Sequence, residues 1–254
     1  MAGTRNIEKL AAESAFVFTG KIIKLKAATV SGIPTANTAV VQVDHVVNAP
    51  PVFHGIAGQQ ITVRLKSLTG LKKGRTMTFF TNGWIYGSSI AVDAVGHTAE
   101  TDKSSIAPIV QSSTTEKNDS ALKARLKSAE MAVVGTVSKV EPAPTETTHI
   151  SEHDPAWHEA TIKVGEVIKG KKQTNEVSVL FPQSDDVWWH KIPKYKEGQK
   201  GIWILQKGKK QEAKGIPPKI FAAIPPGKDV LTTLHPADFL PLDELGKVKS
   251  LLGN

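Results

Sequence analysis

The chain has 254 residues, of which 40% are hydrophobic, 22% charged and 6% aromatic, with a formal net charge of +8 and no cysteine. This composition fits a folded globular protein and excludes disordered and collagen-like chains. The missing cysteines exclude disulfides, thiolate catalysis and cysteine-ligated zinc or iron–sulfur centres. No run approaches the roughly 20 apolar residues of a membrane-spanning helix. Residues 1–8 lack the apolar stretch of a secretory leader, so a cytoplasmic location is expected.

In chain order, Ile7, Leu10, Ala11 and Ser14 form a helical stripe, and a series of β-type blocks follows. Phe16–Ile22, Thr38–Val47, Gln60–Leu65 and Leu71–Phe80 are short, rich in β-branched or aromatic residues, and bounded by Gly, Pro, Asn or Asp. A fifth block, Ser89–Val95, completes the set. The same blocks return about 117 residues later as Met131–Val137, Glu159–Ile168, Glu176–Phe181 and Tyr195–Ile204, with Gly20 lying over Gly135. Lys219–Ile224 is the matching fifth block. Four blocks recurring in one order imply two copies of one domain.

Between the copies, residues 98–118 are rich in Ser, Thr and Lys and read as a linker. A helix is expected from an Asp119 N-cap, with Leu122 and Leu126 on one face. A final helix is expected from Pro241, with acids early and lysines late. The expected domains are therefore 1–97, a linker at 98–118, and 119–254. The expected fold class is mainly β, as two tandem OB-like five-stranded barrels with short flanking and linking α-helices. No helix-length crossover separates the strands, which argues against a parallel sheet.

The order Val133-Val-Gly-Thr-Val, Val167-Ile-Lys-Gly, Val177-Ser-Val and Glu197-Gly-Gln-Lys-Gly-Ile-Trp-Ile-Leu resembles the OB-like barrel of the netrin and TIMP type. The resemblance covers the second copy well and the first less well, and it does not reach the terminal helices. TIMP inhibition uses an N-terminal cysteine, which this chain lacks. The resemblance therefore implies a barrel and a habit of binding, with no specific activity.

Segments present in one copy only are the natural candidates for specialisation, and three fall in the second. The connection from Glu141 to Glu159 carries His149, His153 and His158, three imidazoles that could hold zinc or nickel. Asp154-Pro155 disfavours a helix that would align the first two, and solvated loop histidines are the competing reading. The connection from Pro182 to Lys196 carries Asp185, Asp186, Trp188, Trp189 and His190. Here an ordered plug competes with a binding loop. The connection from Gln206 to Pro218 carries Lys207, Lys209, Lys210 and Lys214. Nine lysines stand against two glutamates between Lys191 and Lys219, so most of the chain's net charge is local.

Lysines beside tryptophans on an OB face suit single-stranded nucleic acid, although lysine lacks the planar fork that arginine offers to phosphate. Gly165-Glu-Val-Ile-Lys-Gly-Lys171 has P-loop spacing, but Lys172 stands where the magnesium-binding hydroxyl belongs, and a strand pattern follows instead of a helix. No Gly-x-Ser-x-Gly elbow, Rossmann glycine run or EF-hand loop occurs. The leading expectation is a non-catalytic binding or assembly module without a cofactor. Its partner is another protein or further copies of itself, and its binding residues are Trp188, Trp189, His190, Lys207, Lys209, Lys210 and Lys214. A single-stranded nucleic-acid binder is the alternative, and a metal-dependent enzyme is third, with His190 and the Asp185–Asp186 pair as its candidate residues and His149, His153 and His158 as the alternative metal site. Phe79, Phe80, Trp84, Tyr86 and Trp203 are assigned to strand cores or their edges.

Overall fold

The repeated blocks pair into antiparallel strands, and in each half a fifth strand closes them into a ring. The computed structural model describes residues 2–50, 53, 55–87, 89–143, 155–171, 175–186, 189–207 and 231–253. The chain divides into two units, Met1–Asn118 and Asp119–Asn254.

Barrel one consists of β1 (Phe16–Leu25), β2 (Thr38–Asn48), β3 (Gln60–Arg64), β4 (Thr76–Ile85) and β5 (Ala91–Thr98), closed in the order β1-β2-β3-β5-β4. β3 and β5 are parallel and every other neighbour is antiparallel. This is the connectivity of an OB barrel. Barrel two repeats it with β6 (Met131–Pro142), β7 (Ala156–Lys169), β8 (Glu176–Gln183), β9 (Lys200–Lys207) and β10 (Leu231–Thr232). There β10 lies parallel to β8 and antiparallel to β9. A further short strand, β11 (Phe239–Leu240), pairs with the β9 residues Trp203 and Ile202.

The duplication extends to individual hydrogen bonds. The β1–β2 ladder shifts register after Val17, Thr19 and Ile22, and the β6–β7 ladder shifts after Ala132, Val134 and Val137, the positions the repeat makes equivalent. The Gly74 N–H donates to the Ile22 carbonyl at 2.7 Å, and the Gly198 N–H donates to the Val137 carbonyl at 2.9 Å. Both glycines have positive φ, +83° and +80°, which explains a glycine before β4 and again before β9.

Each barrel interior is filled by side chains. In barrel one, Phe16, Phe18, Phe53 and Phe79 stack at centroid distances of 4.5 to 5.4 Å among Ile22, Val41, Ile61 and Val63. In barrel two, Phe181, Tyr195, Trp203 and Phe239 play that part among Val133, Ile162 and Val179. Burying each such ring contributes on the order of 2 kcal/mol.

The outer face of the first and fourth strands is apolar in both copies, and helices cover it. Val17 and Phe80 lie under Ile7 and Ala11 of α1 (Ala2–Glu13) and under Ile106 and Val110 of α2 (Lys103–Ser128). At the equivalent places Ala132 and Ile204 lie under Leu122 and Leu126 of α2 and Val248 of α3 (Leu245–Leu252). The C-terminal carbonyls of α2 are capped by one ammonium group. Lys169 Nζ donates to the carbonyls of Leu126, Lys127 and Ala129 at 2.5 to 2.8 Å.

Several sequence expectations are corrected here. Most of the segment read as a linker is helical. α2 begins at Lys103, where the Asp102 carboxylate accepts the Ser104 N–H at 3.0 Å, and Ile106 and Val110 supply the apolar contacts that hold its first turns. Asp119 is therefore inside the helix, where it pairs with Lys247 at 2.7 Å, and it is not an N-cap. The strand that closes barrel two is Leu231–Thr232, whereas Lys219–Ile224 lies outside the described residues. Among the described residues no helix is long and apolar enough to cross a membrane.

Candidate recognition surface

Among the described residues the two copies differ at one equivalent place, the outer face of the third strand. Side chains alternate across a strand, so with Ile61 and Val63 in the core, Thr62 and Arg64 face outward on β3. With Val179 and Phe181 in the core, Ser178 and Leu180 face outward on β8. Arg64 pairs with Thr38 and Asp93, and Leu180 pairs with Glu159 and Thr232, so Arg64 and Leu180 occupy the same node of the two barrels.

In barrel two this node is sealed. Leu180 and the outward Trp157 of β7 are covered by Trp189, Ile192 and Leu234, all buried. Trp157 and Trp189 meet edge to face at 5.8 Å. The covering loop is held to its shape by hydrogen bonds from the Trp189 N–H to the Asp186 carbonyl and from the Ile192 N–H to the Trp189 carbonyl, both 2.9 Å. Lys194 Nζ adds bonds to the carbonyls of Trp189 and Ile192 at 2.7 and 2.8 Å. Burial lowers the pKa of that ammonium, and Asp185 partly opposes the shift.

In barrel one the node is open to solvent and carries charge. The Arg64 guanidinium makes a two-pronged pair with the Asp93 carboxylate, through Nε and, at 2.6 Å, through its terminal nitrogen. Its face lies 3.7 Å over the centroid of the Trp84 ring. The side chains of Arg64 and Asp93 are 45% and 38% exposed. Thr62, on the same face, is instead covered, because Thr29 of the β1–β2 connection donates its N–H to the Thr62 hydroxyl at 2.7 Å. At the end of β4, Tyr86 is 52% exposed, with its ring tilted against Phe53 at 5.2 Å. Its hydroxyl occupies the space where a side chain on Gly83 would sit. Trp84 and Tyr86 thus lie at the end of β4, at the edge that the sequence reading allowed, and not in the core. One is half-buried beneath an arginine and the other is among the most exposed aromatics described.

The residues singled out from sequence are dispersed. Trp189 is 1% exposed and serves as the seal just described, so its ring presents no stacking surface. His190 beside it is exposed. Lys207 ends β9 and lies 3.6 Å from Glu130. Trp188, Lys209, Lys210, Lys214, His149 and His153 lie outside the described residues. His158 is not in the loop: β7 begins at Ala156, pairs His158 with Pro142 and Phe181, and sets its ring 5.9 Å from that of Phe181. Asp185 is exposed and Asp186 contributes its backbone carbonyl to the turn. Among the described residues, no group of three or more His, Asp or Glu could hold a metal ion.

Sequence reasoning missed Arg64, Trp84 and Asp93, which sit on three different strands and meet only through sheet register. The one available signal was the alignment of Arg64 with Leu180, a charge facing an apolar residue at a repeat-equivalent position. No protein-family model matches the chain, and no curated protein matches it.

Proposed function

We propose that the chain is a non-catalytic binding module of two OB-like barrels, with barrel one as the recognition barrel and another protein, or a second copy, as its partner. The observation that carries this reading is the Arg64–Trp84 stack, left open in barrel one at the node that barrel two seals with its own loop. Filled interiors leave only outer faces and connections free for recognition. Arginine and aromatic side chains are the groups that protein interfaces favour at their energetic centres. The Arg64 charge is matched by Asp93, so this face offers phosphates little net attraction, which favours protein over nucleic acid. The resemblance of copy two to netrin- and TIMP-type barrels belongs with this proposal.

The test places a photo-crosslinking benzoylphenylalanine at position 84, with position 190 in barrel two as control. A discrete protein-sized adduct from position 84 alone supports the reading, and an adduct of twice the chain mass identifies a second copy. Cross-linking from position 190 instead, or fluorescence quenching by single-stranded DNA that weakens steeply between about 50 and 200 mM salt, overturns it.

A further inference from the structure

Where the β3–β5 ladder ends, barrel one opens. The two strands pair from Thr62 with Ala91 to Arg64 with Asp93 and no further. Beyond that point the chain leaves β3 through Leu65, whose N–H turns away to donate to the Asn37 carbonyl at 2.8 Å. β5 continues to Thr98 with β4 as its ladder partner on one side. In an extended strand, alternate N–H and C=O groups point to opposite edges. From Ala94 to Thr98 one edge of β5 is therefore without a strand neighbour among the described residues.

That edge floors a groove of 330 Å³. One wall is α1, through Asn6 and Leu10, and the other is the β3–β4 connection, through Lys66, Ser67 and Thr69. Gly96 sets the separation of the first wall, because a Cβ there would run into Leu10. The lining includes Lys66 and His97 and no carboxylate. Arg75 is close enough to depress the His97 pKa through its charge, in addition to the larger effect of burial.

We infer that this groove takes an extended acidic peptide segment of a partner, which adds to the free edge of β5 as a further strand. Backbone hydrogen bonds to residues 94–98 would supply much of the affinity, while Lys66 on the groove wall selects carboxylate side chains. The inference deepens the protein-binding reading, on which it rests, by naming a partner chemistry on the same barrel, in a groove that begins one residue beyond Arg64 and Asp93.

The probe is the fluorescein-labelled peptide acetyl-Glu-Val-Glu-Val-Glu-Val-amide, titrated against the full chain by anisotropy and by amide chemical shifts. Saturable binding is expected, with shifts centred on residues 65–69 and 94–98. Methylating alternate peptide nitrogens should abolish it, a Lys-for-Glu peptide should not bind, and Lys66→Glu should weaken it about fivefold to tenfold by charge reversal near the ligand. Lys66 is exposed on a connection, so that variant is expected to fold. No binding at millimolar peptide, equal binding of the methylated peptide, or shifts elsewhere would each overturn the inference. A failed titration beside a productive cross-link at position 84 would sink the groove and spare the Arg64–Trp84 face, and the converse result would do the reverse.

Discussion

The Arg125 guanidinium meets the Asp238 carboxylate in two parallel hydrogen bonds, Nε to Oδ1 and the terminal nitrogen to Oδ2, both 2.7 Å long. Asp238 is fully buried, and its Oδ2 also accepts the N–H groups of Leu234 and His235 at 2.8 and 2.9 Å. The pair ties the chain between β10 and β11 to α2, beneath which barrel two is packed. Burial pushes the Asp238 carboxyl above its ordinary value, against the pull of the guanidinium. Removing the arginine strands a buried charge. Arg125→Ala should cost about 3 to 5 kcal/mol of stability, because the carboxylate loses its counter-charge without regaining water. Urea unfolding checks this, and a loss below about 1 kcal/mol, the level of an exposed pair, would contradict it.

The shared glycines make a sharper test of the duplication than strand content does. A Cβ on Gly20 would stand 2.5 Å from the Gln42 carbonyl oxygen, and one on Gly135 would stand 2.6 Å from the Lys163 carbonyl oxygen. Both obstacles are backbone of the neighbouring strand, at equivalent register shifts, and cannot swing aside as a flexible side chain would. Gly20→Ala and Gly135→Ala should each destabilise their own barrel by about 1 to 3 kcal/mol, as overpacking does. Denaturant unfolding measured on both variants decides it. If either substitution is neutral, the close approach is not the reason glycine recurs.

Trp189 is the seal of barrel two, so Trp189→Ala should cost about 3 to 5 kcal/mol, the range for a large buried aromatic. It should also expose Trp157 and Leu180, which a rise in binding of an apolar dye would register. A variant with unchanged stability and impaired partner binding would return Trp189 to the recognition role that its sequence context suggested.

The contrast between these residues shows what the sequence discloses. The strands were legible because apolar blocks and Gly20, Gly74, Gly135 and Gly198 recur in order; the blocks alternate, Gly74 and Gly198 take positive φ, and Gly20 and Gly135 meet neighbouring backbone. β10 was not legible, since two residues carry no periodicity and its identity depends on pairing with Val179 and Leu180. The first half of α2 was hidden because Ile106 and Val110 are sparse among serines and threonines and Pro108 interrupts the pattern. Arg64, Trp84 and Asp93 could not be assembled from spacing, because sheet register and not chain distance brings them together. Trp189 reads as a plug or as a platform, with the plug favoured, and only the position of Trp157 beneath it decides between them.

His97 gives barrel one a predictable response to acid. Burial lowers its pKa below 6.5, and the positive charge of Arg75 lowers it further. The folded chain thus holds fewer protons on His97 than the unfolded chain does, so stability rises with pH across that window. Its contribution is complete above about pH 6.5 and is lost as pH falls through the lowered native value. His235 has the same sign, since burial and Arg125 outweigh Asp238, so it continues to supply acid sensitivity in any His97 variant. Unfolding free energies taken in steps from about pH 7.5 to about pH 5 should therefore fall less steeply for His97→Gln than for the wild type, without becoming flat. Identical slopes would mean that His97 titrates as it does in the unfolded chain and that neither burial nor Arg75 reaches it.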